Sequence, residues 1–370
     1  MTMTSIERID AVTALKVPDR VPVAPLLDFY CASCAGVPAR DFILGDVNIM
    51  LRACEVTYER HGKAFDMFYL SPSRIFLVGD PASPISGFYM EFRIPEGKEN
   101  MQVLEKPWGR SVADFDTIMR NGLRELWRSV KSEDLLKLLH DVGKINAAMR
   151  EWEGERKVAM YSGGWTVTPL EALSFLMGLQ DWAVAIHRSK EKVRELCDFM
   201  LDGLIASGIV NAKLASVKRV AVQLIRVSPL FIRRNLFDEL VFPHLKKIIE
   251  TNIKEGLVSL LHLDTDWMPY IDYFKEFPKR TCIFECENMD IFKTKEILGD
   301  RMCLMGNVSS TLLSQGSPRE IKQECKKLIE ACGEGGGFIL SSGCDVPPDT
   351  PFENVQAMVD AALEYGVYKR

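Results

Sequence analysis

The chain has 370 residues, 47% hydrophobic and 26% charged, which is enough apolar material for a large core and long enough for a single α/β barrel carrying insertions. A formal charge of -5 without a Lys/Arg run excludes a nucleic-acid groove, which needs a basic stripe. No apolar segment has the length that spans a bilayer, so neither nucleic acid nor membrane is expected as a partner.

Residues 1–16 mix acids and bases in an amphipathic pattern and lack the apolar stretch of a secretion signal. The ten cysteines are scattered rather than clustered, as in reduced core thiols of a cytoplasmic protein. Eight apolar, β-rich runs follow: VPVAPLLD (21–28), AFDMFYL (64–70), VAMYSGGW (158–165), RVAVQL (219–224), LVSLLHLD (257–264), TCIFECEN (281–288), MCLMGNV (302–308) and FILSSGCDV (338–346). Helical patterns separate most of them. Strand alternating with helix predicts a parallel sheet, and eight such units predict a closed (β/α)8 TIM barrel, taken as one domain over residues 1–370.

Between the second and third runs the alternation lapses. Residues 74–110 carry turn signals and short β-like stretches and predict an inserted hairpin and loop, while 116–157 form a long helical pattern. Together, residues 74–157 predict an excursion after strand two that serves as a lid or partner-facing layer. Helix starts are marked by Ser/Thr-Pro-x-Glu at 168–171, 317–320 and 350–353. In that pattern the hydroxyl caps orphan N–H groups, proline presets the first helical φ and glutamate reaches back.

The chemistry collects at the ends of the later runs. His262 and Asp264 lie two residues apart, on one face of a strand, where an apolar run stops. Glu285 and Glu287 repeat the device in the sixth run, and Cys344 closes the eighth. A barrel places its active site at the carboxyl ends of its strands. His, carboxylate and Cys converging there suit a zinc site with one coordination position open. A buried histidine or thiol alone is commonly a core residue, but acids are rare in a core unless paired or bound to metal. One of the two glutamates is expected to bind the metal, and Glu287, nearer the strand end, is preferred. The expected ligands are therefore His262, Glu287 and Cys344, with Asp264 and Glu285 as the catalytic carboxylates and Asp264 either a fourth ligand or a group orienting one. Asp28, Asp66, Trp165, Gln223 and Asn307 stand at other strand ends and are expected to line the substrate site. Cys31-x-x-Cys34 lacks a second pair, and Gly335–Gly337 precede a strand rather than follow one, so neither reads as a metal or phosphate site.

The stretches MCLMGNV, SPREI and GGGFILSSGCDVPPDTPFENVQAMVDAALEYG resemble the carboxyl-terminal part of the uroporphyrinogen decarboxylase-like superfamily, and its corrinoid-dependent methyltransferase branch above all. Weaker similarity runs back through GGWTVTPLEAL and RIDAVTALKVPDRVPVAPLL. The resemblance implies the same barrel, a zinc ion, and a corrinoid (cobalamin) carried by a partner protein, since this chain has no Asp-x-His-x-x-Gly motif to hold one. Zinc methyltransferases of the branch carry a His-x-Cys pair and a distant Cys, and here Asp264 stands where the first Cys is usual. True decarboxylases carry an Arg-x-x-Gly-Arg clamp for substrate carboxylates, and the equivalent stretch LLDFYCASCAGVPARDF has only Arg40. The expected function is an O-demethylase component that moves a methyl group from an aryl methyl ether or similar small-molecule methyl donor to Co(I) of a separate corrinoid protein. The alternatives are a methylcorrinoid protein:thiol or pterin methyltransferase and a non-catalytic binding protein. The sequence leaves oligomeric state open, a homodimer included.

Overall fold

Strand and helix alternate along the computed structural model, which describes residues 2–70, 111–122, 125 and 132–368 together with the backbone of three further strands. In chain order the strands are β1 (Met67–Phe68), β2 (Ile75–Val78), β3 (Phe88–Arg93), β4 (Gln102–Val103), β5 (Ala159–Met160), β6 (Gly164–Val167), β7 (Arg219–Leu224), β8 (Val258–Leu263), β9 (Cys282–Cys286), β10 (Cys303–Val308) and β11 (Phe338–Ser342). Strands β6 to β11 form one parallel sheet in sequence order, and β1 pairs in parallel with β5.

The first apolar run joins these two pieces into a ring. On one side Val23 and Leu26 bridge in parallel to Leu340 and Asp345. On the other, the Asp66 N–H donates to the Val23 carbonyl at 2.8 Å. The third run supplies both β5 and β6, and the Gly163 N–H continues its pairing to the Arg219 carbonyl at 3.0 Å. All eight expected runs thus take their places around a TIM barrel. The first is held by bridges rather than a regular ladder because Pro22 and Pro25 have no N–H to give.

Helices cover the outside. In Pro318–Cys332 the buried residues Ile321, Cys325, Leu328, Ile329 and Cys332 recur at helical spacing and face the strands. Gly164 lets β6 approach the helix Lys190–Ala215, where a Cβ would stand 2.0 Å from the Gly208 carbonyl oxygen. Among the described residues no helix is long and apolar enough to cross a membrane.

In the region after β1, β2 pairs antiparallel with β3, as the expected hairpin requires, and β4 adds a third strand. Helices Phe115–Asn121 and Ser132–Glu151 follow, and the loops between 79 and 110 lie outside the described residues.

Of the three helix-start signatures, only Ser317 with Glu320 forms the reciprocal capping box. At Thr168 the helix Pro169–Met177 does begin, but Glu171 turns away from its cap. Its carboxylate accepts the N–H groups of Ile225, Arg226 and Val227, the loop after β7. At 350–353 the cap is Pro351, which has no side-chain acceptor.

Candidate active site on the barrel rim

Register carries the polar groups to one place. In the ladder, Gln223 of β7, His262 of β8 and Glu285 of β9 are direct partners, so the three side chains share a face of the sheet. The neighbours Leu261 and Leu263 point the other way and are buried against the helices. Glu285 Oε2 lies 2.7 Å from His262 Nδ1 and also accepts the hydroxyl of Tyr161, which is itself 3.3 Å from Nδ1. The carboxylate therefore fixes Nδ1 as the protonated nitrogen and turns Nε2 outward along the rim.

Beyond the end of β8 the chain is pinned on both sides of Asp264. The Trp267 indole N–H donates to the Asp264 carbonyl at 2.8 Å, and the Thr265 N–H donates to Glu287 Oε2 at 2.7 Å. Thr265 has φ of 72°, an uncommon conformation for a β-branched residue. The result is that Asp264 Oδ1 stands 3.1 Å from His262 Nε2. Cys344, just past β11, completes the group: donor atoms of His262, Asp264 and Cys344 all lie within 4.8 Å of one another.

The electrostatics ask for a cation. Burial pulls the His262 imidazole down, but the carboxylates of Glu285 and Asp264 together hold it well above its ordinary range. Burial, with Asp345, Asp264, Glu287 and Glu285 nearby, pushes the Cys344 thiol up. Burial and the same acids raise Asp345, against the pull of His262. Burial also raises Glu287, opposed by the Thr265 N–H. Asp264 Oδ1 faces the His262 imidazole, and Glu285 Oε1 is buried with no hydrogen-bond partner among the described residues. An imidazole nitrogen, a carboxylate oxygen and a thiol sulfur turned to one point, with no ammonium or guanidinium among the described residues paired to them, fit a zinc ion with an open fourth position.

The expected site residues fall into two groups. His262, Asp264, Glu285, Glu287 and Cys344 are brought together. Glu285 acts as the outer partner of the histidine, and Glu287 stands beside the three-atom cluster with its Oε2 spent on Thr265. Trp165 adjoins them, its ring 6.4 Å from that of His262, and Gln223 is buried on the same face. Asp28 is buried at the end of the first run. Asp66 and Asn307 have partners of their own. The Asp66 carboxylate is fully buried and bound by Arg8, Arg20 and the Val23 N–H, which leaves nothing for a substrate. Asn307 Nδ2 donates to the carbonyls of Glu287 and Met289, so it shapes the loop after β9.

Three residues escaped the sequence reading. Tyr161 stacks on Trp165 with ring centroids 5.7 Å apart, and Tyr69 packs edge-on against both, making an aromatic wall beside the histidine. Asp345, next to Cys344, is the third. Its signal in the sequence was the Cys-Asp pair itself.

A parallel barrel with a histidine, carboxylate and thiol cluster on its carboxyl rim is the class of protein this geometry defines. The chain belongs to the uroporphyrinogen decarboxylase (URO-D) family, whose model matches residues 4–365. Its fold is that of a solved methyltransferase from Methanosarcina mazei, with a TM-score of 0.73 at 21% identity over 98% of this chain and 99% of that one. Among curated relatives, the methylcobamide:CoM methyltransferase MtaA of Methanosarcina barkeri is 42% identical over 77 residues, 20% of this chain and 22% of that protein. The uroporphyrinogen decarboxylase of Pseudoalteromonas atlantica is 35% identical over 77 residues, 21% of each. The matched stretches span about a fifth of these relatives' length.

Proposed function

We propose that the chain is a zinc-dependent methyltransferase that moves a methyl group from an oxygen-linked donor, such as an aryl methyl ether, to Co(I) of a corrinoid carried by a separate protein. The observation that carries this reading is the cluster itself: one imidazole, one carboxylate and one thiol, with Asp264 in place of a second sulfur. A carboxylate ligand is harder and donates less charge than a thiolate, so the set favours an oxygen partner over a soft one. When bound, zinc supplies Lewis acidity toward the ether oxygen as the methyl carbon departs.

The chain's own residues do the rest. Glu285 and Tyr161 hold His262 in its tautomer, Trp267 and Thr265 hold the Asp264 turn, and the wall of Tyr69, Tyr161 and Trp165 keeps water from the reacting end of the donor. Decarboxylation of a polycarboxylate is disfavoured, since Arg40, the one arginine in the stretch expected to carry a clamp, is exposed on the helix Ala39–Leu44. A methylcorrinoid:thiol methyltransferase is the second reading, favoured by the name of the Methanosarcina barkeri relative.

One comparison separates them: methyl transfer from an aryl methyl ether to Co(I) against transfer from methyl-Co(III) to a thiol, both followed by cobalt absorption. Ether demethylation by the unmodified enzyme is expected, with Asp264→Cys depressing it. If only the thiol reaction proceeds, the oxygen-donor reading is wrong.

A further inference from the structure

The loop that leaves β7 borders the cluster from the neighbouring strand. Gln223 and His262 are direct partners, so residues 225–233 leave the same rim as Asp264, one strand away. The loop is built stiff. Glu171 takes the N–H groups of Ile225, Arg226 and Val227, and Arg226 lays its guanidinium over the Phe175 ring and donates to the Ser174 carbonyl at 3.1 Å. Farther on, the Ser228 carbonyl accepts from the N–H groups of both Phe231 and Ile232 at 3.0 Å, and the Tyr270 hydroxyl donates to the Ile232 carbonyl at 2.7 Å. Val227 and Ile232 are buried and clamp the loop at both ends.

Between those clamps the chain turns two apolar side chains outward. Leu230 is 69% exposed and Phe231 41%. The other large apolar residues exposed among the described ones stand at the amino end of the barrel, as Val17 and Val367 do, or on the outer helices. Single exposed apolar residues are ordinary, but an adjacent pair held out by a stiff turn marks a contact surface. A loop ordered before binding loses little further entropy when it docks. Arg233 and Arg234 follow, both exposed, with Arg234 fixed over the rings of Tyr270 and Tyr273. The ledge is an apolar tip with guanidinium groups at its edge, complementary to an apolar face edged with carboxylates.

Methyl transfer to or from a cobalt carried on another protein requires that protein to cover this rim. Resting on the methyl-transfer reading above, we infer that residues 229–234 are the seat of the corrinoid-carrying protein. Leu230 and Phe231 are the anchors, and Arg233 steers an acidic edge of the partner into place.

The test uses the zinc-loaded full chain, a cobalamin-loaded protein with the Asp-x-His-x-x-Gly motif from the same organism, and free cobalamin as a cobalt source that needs no docking. Leu230→Ser and Phe231→Ser should each weaken calorimetric association with the loaded protein about 30-fold, the effect of removing an interface anchor. KM for the loaded protein should rise by a similar factor, while the rate with free cobalamin stays at the level of the unmodified enzyme. Arg233→Glu should slow association about tenfold at low salt, and Arg233→Gln less.

Unchanged association in both apolar variants overturns the inference and leaves the methyl-transfer reading standing. Equal losses with free cobalamin and with the loaded protein overturn it too, since they mark a structural role. If light scattering shows a dimer that Leu230→Ser dissociates, a second copy covers the ledge and the inference fails. No methyl transfer with either cobalt source refutes the methyl-transfer reading instead. The seat is then judged on calorimetry alone, where no association by the unmodified chain overturns it.

Discussion

Replacing Glu285 by glutamine should weaken zinc binding without removing a ligand. Glu285 is buried, and its Oε2 receives both the Nδ1 side of His262 at 2.7 Å and the Tyr161 hydroxyl. Glutamine keeps an acceptor oxygen at nearly the same place but loses the charge, and a charge-assisted hydrogen bond is roughly twice as strong as a neutral one. Loss of such an outer partner typically costs 10–100-fold in metal affinity, or about 1.4–2.7 kcal/mol. Tyr161→Phe keeps the charge and deletes one hydroxyl, a loss of about 1 kcal/mol and about fivefold. The double variant should fall short of the product of the two effects, because both act through one carboxylate. Competition of each protein against a chromophoric zinc chelator at neutral pH measures all three. Wild-type affinity in Glu285→Gln, or a larger loss in Tyr161→Phe than in Glu285→Gln, would refute the view that Glu285 orients the histidine for metal.

Other outcomes follow from the same contacts. Because the imidazole of His262 and the thiol of Cys344 are both held protonated by their surroundings, zinc uptake near neutrality should release about two protons and tighten as pH rises. Calorimetry in buffers of different ionisation enthalpy counts them, and a count of zero excludes both groups as ligands. His262→Ala and Cys344→Ala should each abolish stoichiometric zinc while leaving circular dichroism unchanged, and full metal retention in both would remove the site. Asp66→Ala breaks a buried ion cluster, leaving Arg8 with Asp19 alone and Arg20 with no ion partner among the described residues, so urea denaturation should show a loss of about 3–5 kcal/mol. A loss below about 1 kcal/mol would show that the cluster contributes little. Burial pushes the Glu171 carboxyl up to about 7 despite its three N–H donors. A carboxyl raised by folding holds its proton longer than in the unfolded chain, so its contribution to stability is lost as pH rises from 4.5 through about 7. Glu171→Gln should flatten that part of the profile, and an unchanged slope would show that Glu171 does not titrate there.

The eight apolar runs and the helical patterns between them determined the barrel, because a parallel strand buried on both faces announces itself as a short apolar stretch. They also determined that His262, Asp264 and Cys344 meet on one rim, since all parallel strands end on the same side. What the sequence could not decide was which groups face each other across the ring. Glu285 and Glu287 have the same parity and read alike. The pairing of His262 with Glu285 alone sets one beside the imidazole and leaves the other to Thr265. Asp66 and Asn307 sit at apparent strand ends, yet they serve arginines and loop carbonyls that a local pattern does not see. Glu171 fits a capping box in sequence, but it gains three N–H donors from the chain beyond β7 in place of the one its own cap offers. Tyr161 reaches a glutamate 124 positions away. Side-chain periodicity is a local property of the backbone, whereas partners at such separations are set by strand register and the curvature of the closed sheet, which exist only in the tertiary structure.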